Sequence, residues 1–166
     1  MLRNYLFNIL FFSGITFISI LFLPSLLLPR FFVIFGGKLM GWWASFCLKI
    51  IMFTKIEILG KENIIKKEEF FIASSHQSMF ETFFLQTIFN SPIFILKKEL
   101  LYIPIFGWYL KKIGSISIDR NKITKDNLSF FHNIHKFIKN SSRPLIIFPQ
   151  GTRVNPFERP KFKKGA

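Results

Sequence analysis

Glu69-Phe70-Phe71-Ile72-Ala73-Ser74-Ser75-His76-Gln77-Ser78-Met79-Phe80-Glu81 is the stretch in which one kind of backbone gives way to another. Glu69 to Ala73 is apolar and β-prone, the pattern of a buried strand, whereas Met79 to Phe89 reads as a helix. His76 therefore falls at a strand-to-helix turn, a common seat for catalytic groups. Were residues 76 to 81 all helical, five steps of about 100° would set His76 and Glu81 on different faces. They meet only if His76 precedes the helix and Glu81 lies in its first turn. Ser78-x-x-Glu81 is a capping box that specifies this arrangement, with Ser78 as N-cap and Glu81 at the third helical position. Two readings of Glu81 stay open. It caps the positive end of a helix, or it orients His76. A neutral imidazole with a carboxylate on one ring nitrogen keeps the other nitrogen ready to take a proton from an alcohol. The plainer reading of His76 is a satisfied histidine near a helix start.

Working outward, the chain of 166 residues is half hydrophobic and contains 24 Phe, more apolar surface than a soluble core of this size requires. Leu6 to Leu28 explains the excess: it is apolar apart from Asn8, a few small polar residues and Pro24, and at 1.5 Å per residue it covers roughly 30 Å of hydrocarbon. It is too long for the apolar region of a signal peptide, and no small-x-small cleavage site comes after it before Arg30. Phe31 to Phe53 is a second apolar segment, and Lys38, Ser45 and Lys49 form a thin polar stripe on it beside Trp42 and Trp43. Arg3, Arg30, Lys38 and Lys49 are unopposed by any acid up to residue 54, and three of the four lie after the first segment. By the positive-inside tendency, the rest of the chain faces the cytoplasm from the inner membrane.

From residue 54 the composition changes. Lys55 to Leu59 alternates with period two, Pro92 to Leu96, Ser115 to Ile118 and Pro144 to Phe148 read as strands, Ile103 to Ile113 as a short helix and Asp126 to Lys139 as an amphipathic helix. The expected fold is therefore α/β, a mixed sheet flanked by helices, preceded by an N-terminal apolar two-helix membrane anchor. Residues 1–53 form the anchor and residues 54–166 the α/β domain. Sites in such folds gather at the carboxyl ends of strands, where His76, Arg120 and Gly151 to Arg153 all occur.

Residues 91 to 166 carry fifteen basic and four acidic side chains, and the whole chain has a net charge of +14. Two readings of this charge stay open: a compositional bias that also enriches Phe, Ile and Asn, or an anionic partner, for which lipid head groups suit an anchored chain where no nucleic-acid motif is evident. Cys47 lies alone in an apolar segment, which removes disulfides, thiolate zinc sites and a cysteine nucleophile from consideration. No Gly-x-Ser-x-Gly elbow or phosphate-binding glycine loop is present. His132 and His135 have no apparent third ligand, so no metal site is expected.

With these blocks in order, the sequence is similar to the lysophospholipid acyltransferase family, and within it to the 1-acylglycerol-3-phosphate acyltransferases that make phosphatidic acid. The family's His-x-x-x-x-Asp box is matched by His76 to Glu81. Its second block resembles Lys97-Lys98-Glu99-Leu100 through Pro104-Ile105-Phe106-Gly107-Trp108 to Gly114-Ser115-Ile116-Ser117-Ile118-Asp119-Arg120, and its third, Phe-Pro-Glu-Gly-Thr-Arg, resembles Phe148-Pro149-Gln150-Gly151-Thr152-Arg153. The resemblance covers residues 56 to 164. It implies an O-acyltransferase with His76 as general base and Glu81 as its partner, and with Arg120, Gln150, Gly151, Thr152 and Arg153 around lysophosphatidic acid. It implies acyl-CoA or acyl carrier protein as acyl donor, and no cofactor. Glu81 stands where the family has Asp, and Gln150 where it has Glu. The family also continues into a fourth block, a Val-Pro-Val-type strand, which the chain lacks. A C-terminally incomplete domain with an unpaired edge strand is therefore expected, and the alternatives are an inactive membrane-associated remnant or a basic anionic-lipid-binding protein.

Overall fold

The computed structural model describes residues 1–64, 70–118, 143–155 and 157–158. Arg120, His132, His135 and the amphipathic helix expected over Asp126 to Lys139 lie outside the described residues. The chain divides into two compact units, Met1–Ile64 with Ser78–Phe89, and Ile65–Gln77 with Asn90–Ala166.

In the first unit, α1 runs over Leu2–Leu21 and α2 over Arg30–Ile51. The apolar run expected from Leu6 to Leu28 is not one helix. Pro24, which has no backbone N–H, comes just after the end of α1, and Leu23–Leu26 tightens into a 3-10 turn before Pro29 opens α2. At 20 and 22 residues, both helices are long and apolar enough to cross a membrane by length and composition. α1 exposes Tyr5, Ile9, Phe12, Phe17 and Ile20 rather than burying them. Two of its hydroxyls bond back to the helix's own carbonyls, Ser13 Oγ donating to Leu10 O and Ser19 Oγ to Ile15 O.

The helices approach closely because small residues meet large ones. Trp43 packs where Gly14 has no side chain and donates Nε1–H to the Leu10 carbonyl at 3.1 Å. The third helix of this unit, α3 over Phe80–Ile88, lies against α2 along Gly37 and Gly41. A Cβ on Gly41 would come within 2.5 Å of the Phe83 carbonyl oxygen and of Thr87 Cγ2, and one on Gly37 would collide with the Gln86 side chain. Four-residue spacing of glycine keeps that groove smooth, as in helix pairs inside membranes. Phe11 of α1 adds an edge-on ring contact with Phe83 at 6.2 Å.

The second unit is a parallel sheet, so the α/β class expected is the class found. Its strands are β1 Phe71–Ala73, β2 Ile93–Lys97, β3 Ile116–Ile118 and β4 Leu145–Ile147, in the order β1-β4-β2-β3, and every described pairing is parallel. Central strands of such sheets are covered on both faces, which is why Ile93-Phe94-Ile95-Leu96 and Leu145-Ile146-Ile147 are continuously apolar and buried. Ile93, Ile95, Leu145 and Ile147 make the core, with Ile116 and Ile118 against it. The stretch expected as a buried strand at Glu69 to Ala73 is not buried: β1 stands at the end of the described strand order, and its Phe71 and Ala73 are exposed. The strand expected at Lys55 to Leu59 is absent. That stretch pairs with no neighbour among the described residues, its Ile58 and Leu59 are exposed, and Lys55 and Glu57 form an ion pair. Alternation supplies a face, but a strand also needs a ladder.

After β2 the chain makes a 3-10 turn at Lys98–Tyr102 and then α4 over Phe106–Ile113, shorter than the Ile103 to Ile113 expected. Ile105 stops the helix there: at φ 63° and ψ −58° it forms a γ-turn in which the Phe106 N–H donates to the Pro104 carbonyl at 2.6 Å. This conformation strains a β-branched residue by about 1–3 kcal/mol. α4 ends in a Schellman motif, with Gly114 left-handed at φ 83° and the Ser115 N–H donating to Leu110 O.

Arg143 ties this unit together. Its Nε–H donates to Ser91 O at 2.7 Å, and one terminal nitrogen donates to Ile113 O at 2.8 Å and to Pro92 O at 3.4 Å. The guanidinium thus joins the carboxyl end of α4 to the entrance of β2, where the helix's partial negative charge also favours it. Arg143→Lys should destabilise the protein by about 1–3 kcal/mol, because an ammonium cannot span three carbonyls from one planar fork. Thermal melting in detergent checks this, and an unchanged transition would remove Arg143 from the account.

Candidate active site

Parallel pairing of β1 with β4 puts their carboxyl ends side by side, Ala73 opposite Ile147, so the loops beyond them emerge together. The first carries Ser74, Ser75 and His76, the second Phe148, Pro149, Gln150 and Gly151. The ladder extends past the strands, since the Ser74 N–H donates to Ile147 O at 2.9 Å.

Gln150 then joins the loops. Its carboxamide oxygen accepts the His76 N–H at 3.3 Å, and its Nε2 donates to Ser75 Oγ at 3.0 Å. A third bond closes from beyond the turn, the Val154 N–H donating to His76 O at 2.9 Å. The His76 backbone is thus fixed on both sides. Its ring is fixed by Phe148, stacked at 4.4 Å between centroids with an interplanar angle of 29°. Phe148 in turn lies nearly parallel to Phe94 of β2 at 6.5 Å. The imidazole is half-buried, and Gln150 is buried.

Gly151 is buried and left-handed at φ 72°, and its N–H donates to Phe148 O at 3.0 Å, closing the turn. Thr152 and Arg153 are exposed just beyond it. Arg120 is outside the described residues. Glu81 belongs to the first unit, in the opening turn of α3. There the capping box forms with a one-residue shift: α3 starts at Phe80, so Glu81 is the second helical residue and not the third. The Ser78 N–H donates to Glu81 Oε1 at 2.7 Å and Ser78 Oγ to Oε2 at 2.6 Å, while the Phe80 N–H donates to Ser78 Oγ at 3.0 Å. Both carboxylate oxygens therefore serve the helix start, as the capping reading requires.

Sequence reasoning misses Ser75, Phe148 and Val154 as parts of this site. Only Phe148 carries a sequence signal, as the aromatic between the apolar run of β4 and Pro149. No group of three or more metal-ligating side chains occurs among the described residues.

A half-buried histidine pinned at the carboxyl edge of a parallel sheet places the chain among α/β proteins whose sites lie on that edge. Residues 55–166 match the family model described as Acyltransferase, and the chain belongs to that family. It is 35% identical over 126 residues to the 1-acyl-sn-glycerol-3-phosphate acyltransferase of Pseudomonas aeruginosa, covering 74% of this chain and 48% of that one. To the enzyme of the same name from Saccharomyces cerevisiae it is 33% identical, covering 72% and 40%. The chain thus spans half or less of the length of these curated relatives. Among solved structures it resembles the 1-acyl-sn-glycerophosphate acyltransferase PlsC of Thermotoga maritima, with a TM-score of 0.73 and 25% identity over 98% of this chain and 67% of that one.

The carboxamide of Gln150 makes a direct forecast. Gln150→Leu should cost about 1–3 kcal/mol by leaving the His76 amide and the Ser75 hydroxyl unpaired. Gln150→Glu, the residue usual in the family, should be tolerated, because Ser75 can turn its hydroxyl to donate to a carboxylate. Melting both variants decides it. A Gln150→Leu variant that melts like the parent would mean that the carboxamide does not hold the loop.

Proposed function

We propose that the chain transfers a fatty acyl group from a thioester, acyl-CoA or acyl carrier protein, to the free hydroxyl of 1-acylglycerol-3-phosphate, giving phosphatidic acid. The observation that carries this reading is the doubly fixed His76 backbone at the carboxyl edge, in a chain of the acyltransferase family whose relatives bear that activity in their names.

His76 is the general base. It takes the acceptor's hydroxyl proton as that oxygen attacks the thioester carbonyl carbon. The carbon–sulfur bond then breaks, and the imidazolium returns the proton to the leaving thiolate, with no acyl-enzyme and no cofactor. Glu81 steadies the imidazolium and sets its tautomer in addition to capping α3. Arg153, together with Arg120, holds the acceptor phosphate through paired charge-assisted hydrogen bonds. Thr152 and Gln150 complete the acceptor's surroundings, and backbone amides around Gly151 face the developing oxyanion. Residues 1–53 attach the chain to the inner membrane, and residues 54–166 work on its cytoplasmic side, as the basic residues after α1 indicate.

His76→Ala should lower acyl transfer to lysophosphatidic acid in vesicles by at least about 100-fold, with membrane attachment unchanged. Turnover near the parent rate would sink the mechanism.

Glu81→Gln separates the two duties of that carboxylate. Gln serves at this place in a capping box, so melting should barely move, while loss of the charge should cut the rate by about tenfold or more. A loss of stability in proportion to the loss of rate would make Glu81 a helix cap alone.

A further inference from the structure

We propose that Tyr102, Ile103, Trp108 and Lys111 form a second membrane-contact surface, on the sheet unit itself, that takes an anionic bilayer surface. The proposal is separate from the acyltransferase reading and needs only that the bilayer be present.

The surface is built by an unusual piece of backbone. β2 delivers the chain at Lys97 into the Lys98–Tyr102 turn, and the left-handed Ile105 then folds it back sharply. Gly107 seals the fold. Its N–H donates to Ile103 O at 2.7 Å, and it lies so close to the Leu101 carbonyl that no Cβ fits. α4 then divides its side chains: Tyr109, Leu110 and Ile113 go into the core, whereas Trp108 stays 52% exposed. Tyr102 is 71% exposed and Ile103 44%. Three large apolar side chains are thus displayed on a block whose backbone is braced by its own hydrogen bonds and by a strained turn. A solvated loop needs no such bracing.

The composition selects the partner. Tyr and Trp have an apolar body and a polar tip, and they concentrate where hydrocarbon meets water. Lys111 is one helical turn from Trp108 and exposed, Lys112 is beside it, and Lys97 and Lys98 are exposed at the head of the block, against a single acid, Glu99. Basic residues around interfacial aromatics complement anionic head groups. The same chain carries two helices of membrane-spanning length, so a bilayer is the apolar partner already at hand. The block also leaves the end of β2, next to β4 in the parallel sheet, so it emerges at the same carboxyl edge as His76.

The full chain in vesicles tests this. Cys47, the only cysteine, is replaced by Ala, and Ile103→Cys carries an environment-sensitive fluorophore. In phosphatidylcholine vesicles containing phosphatidylglycerol and doxyl-labelled lipid, the label should be quenched by lipid and shielded from iodide. Adding Tyr102→Ser and Trp108→Ser, both at exposed positions, should lower the lipid quenching by at least about twofold while α1 and α2 keep the protein attached. Lys111→Glu should lower it only when phosphatidylglycerol is present. The proposal is overturned if the label stays open to iodide or if the substituted chains quench like the parent. Quenching that appears without lipid and rises with protein concentration also overturns it, because the occupant is then a second copy.

Discussion

The pairing of β1 with β4 governs the rest of the sheet unit. The two strands are more than seventy residues apart in sequence, and only three residue pairs join them, Phe71 with Leu145, Ile72 with Ile146 and Ala73 with Ile147. Because the pairing is parallel, both segments leave the sheet at the same end, and four contacts that fix the His76 loop come from there: the extended ladder at Ser74, the Gln150 carboxamide, the Val154 amide and the Phe148 ring. A slip of one residue in register would turn Ile146, now fully buried, to the other face and carry Gln150 away from His76. The full burial of Ile93, Leu145 and Ile146 is what makes such a slip costly.

The apolar helices obey a different constraint. In lipid, burying a leucine between helices gains little over leaving it in hydrocarbon, so association depends on close contact and on hydrogen bonds. Gly14, Gly37 and Gly41, with the Trp43 indole N–H on the Leu10 carbonyl, answer to that rule. The consequence reaches α3, whose first turn holds Glu81. Its seat is cut from glycines on the candidate membrane helix α2.

How much of this the sequence reveals depends on whether the cause is local. The capping box at Ser78 and the buried strands β2 and β4 are each set by a few adjacent side chains, and all are legible; the β1 strand is legible too, but not its exposure, which depends on its place at the end of the strand order. Lys55 to Leu59 has the correct alternation but no partner among the described residues, and pairing is not a property of the segment. Pro24 is visible as an interruption, yet the length of the apolar run outweighs it. Gln150 stands out as a departure from the family, but its partners are seventy residues away and cannot be read. Arg143 gives even less warning, because its three carbonyls belong to backbone, which has no sequence signature. The Gly37-x-x-x-Gly41 spacing is a readable sign of a helix packing there, hidden among so many apolar residues.

The strand order also sets a timetable. β4, which lies between β1 and β2, is the last of the four to be made, so the first two strands leave the ribosome with an empty slot between them. About fifty residues separate Lys97 from Leu145, and at synthesis rates of roughly 5–20 residues per second that gap lasts on the order of several seconds. During it, the chain already holds two apolar helices and two strands with unsatisfied edges, a state prone to pairing with its neighbours. Early capture of α1 and α2 by a bilayer would hold each nascent chain apart from the next until Leu145 to Ile147 arrives. The membrane would then serve the folding of the sheet as well as its location.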